Sequence, residues 1–227
     1  MVQCSDVLDM FEKLAPSELA EDWDNTGLLV GRNDKIIKKI MLCLDIAKAS
    51  ADEAVRSNVD LIISHHPVIF KSLSKIIESE PKGNILYTLI RNDICAFAAH
   101  TNLDFAESGV NTLLAEILNL KNVALYGEGP GKTGMLPNIV SLHEFIMYVK
   151  AVLNADSVRA VGEPDAKISK VAVFSGSFDN NLNALLQSGA DVLVTGDLKH
   201  HTVLDLREAG LSAIDAGHFN TEVIILP

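Results

Sequence analysis

Residues 60–64, Asp-Leu-Ile-Ile-Ser, come back 131 positions later, at 191–195, as Asp-Val-Leu-Val-Thr. The stretch before them repeats at the same spacing, with Ile36-Ile37-Lys38-Lys39-Ile40 matching the segment Ala166–Val171. Short apolar runs bounded by polar residues read as fully buried strands of a parallel sheet. Residues 48–57 read as a helix between two such strands, which makes a βαβ unit with a right-handed crossover. A third piece also recurs: His100-x-Asn102-x-Asp104 matches His218-x-Asn220-x-Glu222 at a spacing of 118, each after an apolar run. This duplication constrains the chain to an α/β fold of two similar, pseudo-symmetric βαβ-based lobes with largely parallel sheets in three layers. The expected division is a first lobe over 1–119, an intervening segment over 120–165 and a second lobe over 166–227, forming one compact unit overall.

The remaining segments fit between these units. Ser5 is the expected N-cap of a helix whose apolar stripe is Val7, Met10, Phe11 and Leu14, ended by Pro16. Residues 21–31 are an acidic turn followed by a strand through Leu28–Val30, with Trp23 expected to pack as a lid rather than to staple the surface. Helices are expected at 84–91 and 108–118, and Ser141 with Glu144 forms a capping box. Residues 127–134, Gly-Glu-Gly-Pro-Gly-Lys-Thr-Gly, superficially look like a phosphate-binding P-loop. The spacing fails by one residue, since Tyr126 stands where the first glycine is needed. A flexible loop is expected there, with Lys132 as a contact for an anionic substrate.

The strand at 61–63 runs into Ser64, His65, His66 and Pro67, and proline ends it. Ligands of α/β sheets bind beyond the carboxyl ends of strands. For the His-His pair alone, one packed and one solvated imidazole is the plain alternative. The repeat adds more, because equivalent strand ends share an edge. His65, His66, His100, Asp104, His218 and Glu222 are therefore the candidate ligands. The plain alternative for His218 and Glu222 is a helix-start carboxylate beside a capping histidine. Imidazoles with carboxylates suit zinc, iron, manganese or nickel, and six candidates exceed the needs of one ion, which points to two divalent ions. His200 and His201 open a helix and are expected to be solvated. His143 has no expected role.

A net charge of −11 argues against nucleic acid as a partner, because such an interface needs a broad basic surface. A small anionic substrate held by a local cation remains compatible. Cys4, Cys43 and Cys95 form no CxxC, and the latter two lie in apolar runs, a pattern that fits a reducing cytoplasm. The N-terminus shows no signal peptide, and no apolar run approaches the roughly 20 residues of a membrane span, so a cytoplasmic protein with no membrane partner is expected.

Five stretches together, EDWDNTGLLVG, DLIISHHP, HTNLD, GADVLVTGDLKHH and AGHFNTE, resemble the Nif-three-like family, whose members are often labelled GTP cyclohydrolase 1 type 2 homologs. The resemblance runs from about residue 5 to the end. It implies an α/β fold of two similar lobes, a ring-shaped homohexamer and a dinuclear metal site. Carried over by residue, the metal ligands are His65, His66, Asp104, His218 and Glu222, with His100 close by but outside the set. The family pattern continues with a helix after HFNTE, whereas this sequence ends at Val223-Ile224-Ile225-Leu226-Pro227, so that helix is expected to be missing or very short.

The expected function is a dinuclear metal-dependent hydrolase with two divalent ions per subunit (zinc, iron or manganese). Glu222 is the expected bridging carboxylate and His100 the catalytic residue, either orienting a metal ligand or shuttling a proton. The family label implies ring opening of a purine nucleotide such as GTP. The alternative is a non-catalytic, ring-forming module that stores or delivers metal, or scaffolds partners.

Overall fold

The computed structural model describes residues 1–178 and 182–226, in two compact units, Met1–Ala106 and Glu107–Ile225. The first unit contains α1 (Cys4–Leu14), β1 (Gly27–Val30), β2 (Ile40–Cys43), α2 (Lys48–Arg56), β3 (Leu61–Ser64), α3 (Pro81–Arg91), β4 (Cys95–Ala98) and α4 (Thr101–Phe105). Its sheet has the order β1-β4-β3-β2, with β2, β3 and β4 parallel and β1 antiparallel to β4.

Strand alternation divides the side chains between two helical layers. Ile62 and Ala96 face α2 and α3, against Ala51, Ala54, Leu86 and Leu89. Leu61, Ile63, Cys95 and Phe97 face α1, against Cys4 and Val7, and the Phe11 ring lies 5.1 Å from that of Phe97. Both faces of β3 are thus covered, which is why it tolerates no polar residue before Ser64. Helix α1 starts two residues earlier than Ser5 suggests, with Gln3 at its N-cap, because the Asp6 carboxylate accepts the Gln3 N–H at 2.7 Å.

The second unit contains α5 (Val110–Ile117), β5 (Lys121–Leu125), β6 (Lys132–Ser141), α6 (Leu142–Val152), β7 (Arg159–Val161), β8 (Lys167–Ser177), α7 (Leu182–Gln187), β9 (Val192–Gly196), α8 (His200–Glu208), β10 (Ser212–Asp215) and α9 (His218–Glu222). The sheet order is β5-β6-β8-β9-β10-β7. Parallel pairing is confined to β8, β9 and β10, and β5, β6 and β7 join antiparallel. Val171, Val173, Val192, Val194 and Ile214 face α5 and α6. Ala172, Leu193 and Ala213 face α7 and α8. Each unit is therefore a three-layer α/β sandwich. The capping box of α6 is present, with Glu144 N–H donating to Ser141 Oγ at 3.2 Å and Ser141 N–H to Glu144 Oε2 at 2.8 Å.

The duplication holds in hydrogen-bond detail. Ile40 pairs with Leu61, and Val171, 131 positions on, pairs with Val192. Asp60 accepts the N–H groups of Lys38 and Lys39; Asp191 accepts those of Ser169 and Lys170. Lys39 donates to the Ser57 carbonyl and Lys170 to that of Ser188. In the third strand the register places Cys95 opposite Leu61 and Ser212 opposite Val192, one position short of the spacing between His100 and His218. The extra residue is Gly217, at φ 92°, where a side chain is disfavoured.

Three segments differ from the sequence reading. Helix α5 belongs with the second unit, because Leu114, Ala115 and Leu118 pack onto its sheet. The segment 120–165 is no separate insert but supplies β5, β6, α6 and β7 to that sheet. The glycine-rich stretch is the tip of a β-hairpin, and its Lys132 already begins β6. After α9 the chain makes one 3-10 turn, Val223–Ile225. Among the described residues no helix is long and apolar enough to cross a membrane.

Candidate metal centre

In the first unit the end of β3 delivers the two histidines. Their backbone continues the pairing with the neighbouring strand, His65 N–H to the Cys43 carbonyl and His66 N–H to that of Leu44, before Pro67 stops it. His100 precedes α4, and its own N–H donates to Asn102 Oδ1 at 2.9 Å. Asn102 in turn donates to the Ala15 carbonyl, so the middle residue of His-x-Asn-x-acid is an anchor. The acid falls one helical turn after the histidine, on the same side of the helix.

His65, His66 and His100 each offer a ring nitrogen within 4.8 Å of the others. Asp104 Oδ1 lies 3.7 Å from His65 Nε2. His65 and Asp104 are nearly closed to solvent, with side chains 1% and 16% exposed.

In the second unit, α9 presents His218 and Glu222 with Nε2 and Oε1 3.0 Å apart. Gly176, at φ 65°, makes the room: a Cβ there would stand 2.3 Å from Glu222 Oε1. Asn220 anchors this helix by donating to the Leu153 and Asn154 carbonyls. Bonds of about 2.0–2.1 Å at tetrahedral angles set two ligands of one ion roughly 3.3 Å apart, close to the His218–Glu222 spacing.

All four imidazoles share one arrangement. His65 Nδ1 donates to the Ala99 carbonyl at 2.9 Å, and His66 Nδ1 to Asp45 at 3.1 Å. His100 Nδ1 donates to Asp24 and His218 Nδ1 to Asp197, both at 2.8 Å. Each partner can only accept, so each Nδ1 carries a proton and Nε2 is the atom that can bind a metal. This is the donor chemistry that a divalent ion with nitrogen and oxygen ligands requires.

The charges are coupled to these contacts. Burial alone would raise the Asp24 carboxyl, but hydrogen bonds from His100 and Thr101 outweigh it and hold the group down at about 2. The Glu222 hydrogen bond raises the His218 imidazole to about 9, against burial and with further help from Glu222 and Asp197 charge.

Of the residues picked from sequence, His65, His66, His100 and Asp104 gather at one end of the first sheet, and His218 and Glu222 pair at the matching end of the second. His200 and His201 are exposed at the start of α8, as expected. Trp23 corrects an expectation: it does not pack inside but stands 60% exposed, edge-on to Phe70 and to His100, with ring centroids 5.9 and 6.2 Å away. Sequence reasoning missed the orienting acids Asp24, Asp45 and Asp197, and Gly176. The repeat marks Asp197, which it sets against His66, and Gly176, which it sets against Asp45.

A family model described as Duf34/NIF3 (NGG1p interacting factor 3) matches residues 2–227. A Clostridium perfringens protein named GTP cyclohydrolase 1 type 2 homolog is 34% identical over 232 residues, covering 99% of this chain and 88% of the relative. A Methanocaldococcus jannaschii protein of the same name is 33% identical over 228 residues, covering 98% and 91%. Among solved structures, Staphylococcus aureus protein SA1388 superposes with a TM-score of 0.92 at 31% identity, covering 99% of this chain and 88% of that one. Reduced HcgD from Methanocaldococcus jannaschii gives 0.85 at 33% identity, covering 98% and 90%. With a family model spanning nearly its whole length and relatives above 30% identity, the chain belongs to the Duf34/NIF3 family.

Proposed function

We propose that this chain is a metal-dependent hydrolase that holds two divalent ions, zinc, iron or manganese. His65, His66 and Asp104 supply ligands from the first unit, and His218 and Glu222 from the second. The observation that carries the reading is that every one of these imidazoles has its Nδ1 tied to a carbonyl or carboxylate. Packed or solvated histidines have no need of that uniformity.

Divalent ions held by these residues would supply Lewis acidity and a water of lowered pKa. The protein's own part is orientation and proton handling. His100, with Nδ1 on Asp24, exchanges a proton at Nε2, and the buried Asp24 carboxylate stabilises the imidazolium formed. A purine nucleotide such as GTP is the substrate class suggested by the relatives' name. Trp23 and Phe70 beside His100 support it, since exposed aromatic faces accept a planar ring. A homo-oligomer, a hexamer by the family resemblance, is the proposed assembly.

The alternative is a module that stores or delivers metal without turnover. It draws support from the depth of His65 and Glu222, whose side chains are 1% and 5% exposed, which suits retention of an ion.

Metal analysis with a panel of hydrolase substrates tests the proposal, with His65→Ala as the blank. The expected result is close to two ions per chain, with at least one lost in His66→Ala and in Glu222→Ala. Asp104→Ala changes the ion count, whereas His100→Ala keeps both ions and loses only turnover. Unchanged metal in both His66→Ala and Glu222→Ala overturns the site. Full metal with no turnover on any substrate favours the storage reading. Light scattering giving a 24.5 kDa monomer refutes the oligomer.

A further inference from the structure

Two lysines among the described residues are more than nine-tenths buried, Lys35 and Lys132. They differ in what they face. The Lys35 ammonium lies 3.5 Å from Asp93 and 4.0 Å from Asp60, so its charge is answered within the protein. Lys132, 9% exposed, makes no side-chain hydrogen bond and no ion pair with any described residue. A buried charge is costly unless something pairs with it. The charge of Glu107 acts on it without forming an ion pair, so the ammonium keeps its donors for a further anion.

Its place in the sheet says where that counter-charge would sit. Lys132 opens β6 directly opposite Val173 of β8, and cross-strand partners share a face. Val173 points toward α5 and α6, so Lys132 lies on that face too. Val173 is also near the carboxyl end of β8, three residues before Gly176, against which Glu222 rests. Helix α9, which carries His218 and Glu222, packs on β8 and α5. Lys132 therefore sits at the ligand-binding edge of the second sheet, on the flank of the candidate metal ligands.

The hairpin holds it there rigidly. Tyr126 N–H donates to the Gly131 carbonyl, closing the tip, and the Tyr126 ring lies so close to Gly131 that a Cβ would fall 2.5 Å from it. Glycine at 131 is thus required for the chain to enter β6 at Lys132 in this position. Burial lowers the lysine pKa while the Glu107 charge opposes that shift.

We propose that Lys132, whose stem is buried, is an anion-binding residue of the substrate site, taking a phosphate or carboxylate group of the substrate through its ammonium. This deepens the hydrolase reading and rests on it for the identity of the substrate. It also separates two tasks within the second unit, with charge recognition on β6 and metal ligation on α9.

The test reads binding, not turnover, so that it can fail independently of the hydrolase reading. Inorganic phosphate is titrated calorimetrically, at low salt, into the metal-loaded wild type, Lys132→Met, Lys132→Arg and the exposed control Lys121→Met, with metal content measured for each. GTP and guanosine are then compared on the same proteins. Lys132→Met is expected to weaken phosphate at least about tenfold, the scale of one lost charge-assisted hydrogen bond. Lys121→Met should match wild type, Lys132→Arg should retain most of the affinity, and metal content should not change. GTP should follow phosphate, and guanosine should be indifferent to the substitution. A reagent that labels amines gives a second readout without any variant, because phosphate should slow modification of Lys132 and leave Lys121 unaffected. Equal phosphate affinity in wild type and Lys132→Met, or labelling of Lys132 that phosphate does not slow, overturns the proposal even if the protein proves to be a hydrolase.

Discussion

The two units keep the same scaffold and spend it differently at the strand ends. In both, an acid before the middle parallel strand accepts two main-chain N–H groups, and a lysine at the fourth position of the repeat donates to the C-terminal carbonyl of the helix that follows it. Beyond the strands the equivalence breaks. The first unit has Asp45 at the end of β2, orienting His66; the second has Gly176 at that position, leaving space for Glu222. Where the first unit has His66, the second has Asp197, which orients His218. So one half places a histidine at the strand end and borrows an acid to aim it. The other half places the acid there and takes its histidine from the helix after the next strand, α9. A duplicated fold can thus supply different donor sets to metal while its hydrogen-bond frame stays fixed.

Exchanging the divergent positions is the strongest way to break this comparison. Gly176→Ala forces a side chain into left-handed backbone and onto Glu222, and should cost about 3 kcal/mol of stability. It should also release at least one ion. Denaturant melts paired with metal analysis would show it, and a variant with wild-type stability and metal would mean that Glu222 is not seated by this glycine. Replacing the shared acids should have a smaller and matched effect. Asp60→Ala and Asp191→Ala should each lose about 2 kcal/mol, because each leaves two main-chain donors without their acceptor. Values that differ by more than twofold between the halves would show that the frame is not equivalent.

The orienting acids rank next. Asp45→Asn and Asp197→Asn keep shape but weaken the hold on Nδ1, and should each raise the metal dissociation constant by about tenfold in chelator competition. If only one of them responds, only that unit's histidine binds metal. The smallest effects belong to the helix-capping lysines. Lys39→Met and Lys170→Met should cost less than about 1 kcal/mol each, measured by thermal melts.

The repeat made the parallel centre of both sheets readable, since Asp-Leu-Ile-Ile-Ser and its copy mark strand position and register together. The antiparallel strands left weaker traces. Every residue of β5 is exposed, so no alternation of apolar and polar positions announces it, and the glycines and proline of the hairpin tip read as loop. Ligand candidates were legible because histidine and carboxylate types recur at matched positions. Their orienting acids were not, because Asp24 stands 76 residues from His100 and Asp45 lies 21 residues from His66. Contacts of that kind exist only once the sheet has formed. The shift of one residue at Gly217 was hidden for the same reason: the repeat spacing of the helices differs from that of the strands, and pairing alone shows where the extra residue sits.

Trp23 is the chain's single tryptophan, and it stands half in solvent with its ring centroid 6.2 Å from that of His100. Indole emission is quenched by a nearby imidazolium and shifts in colour when its water shell is displaced. The fluorescence of the whole protein is therefore the fluorescence of one spot at the rim of the histidine cluster. Loading of ions, protonation of His100 and stacking of a flat molecule on the indole would each leave a separate optical trace. The fold thus carries its own unlabelled reporter, positioned where the chemistry is proposed to occur.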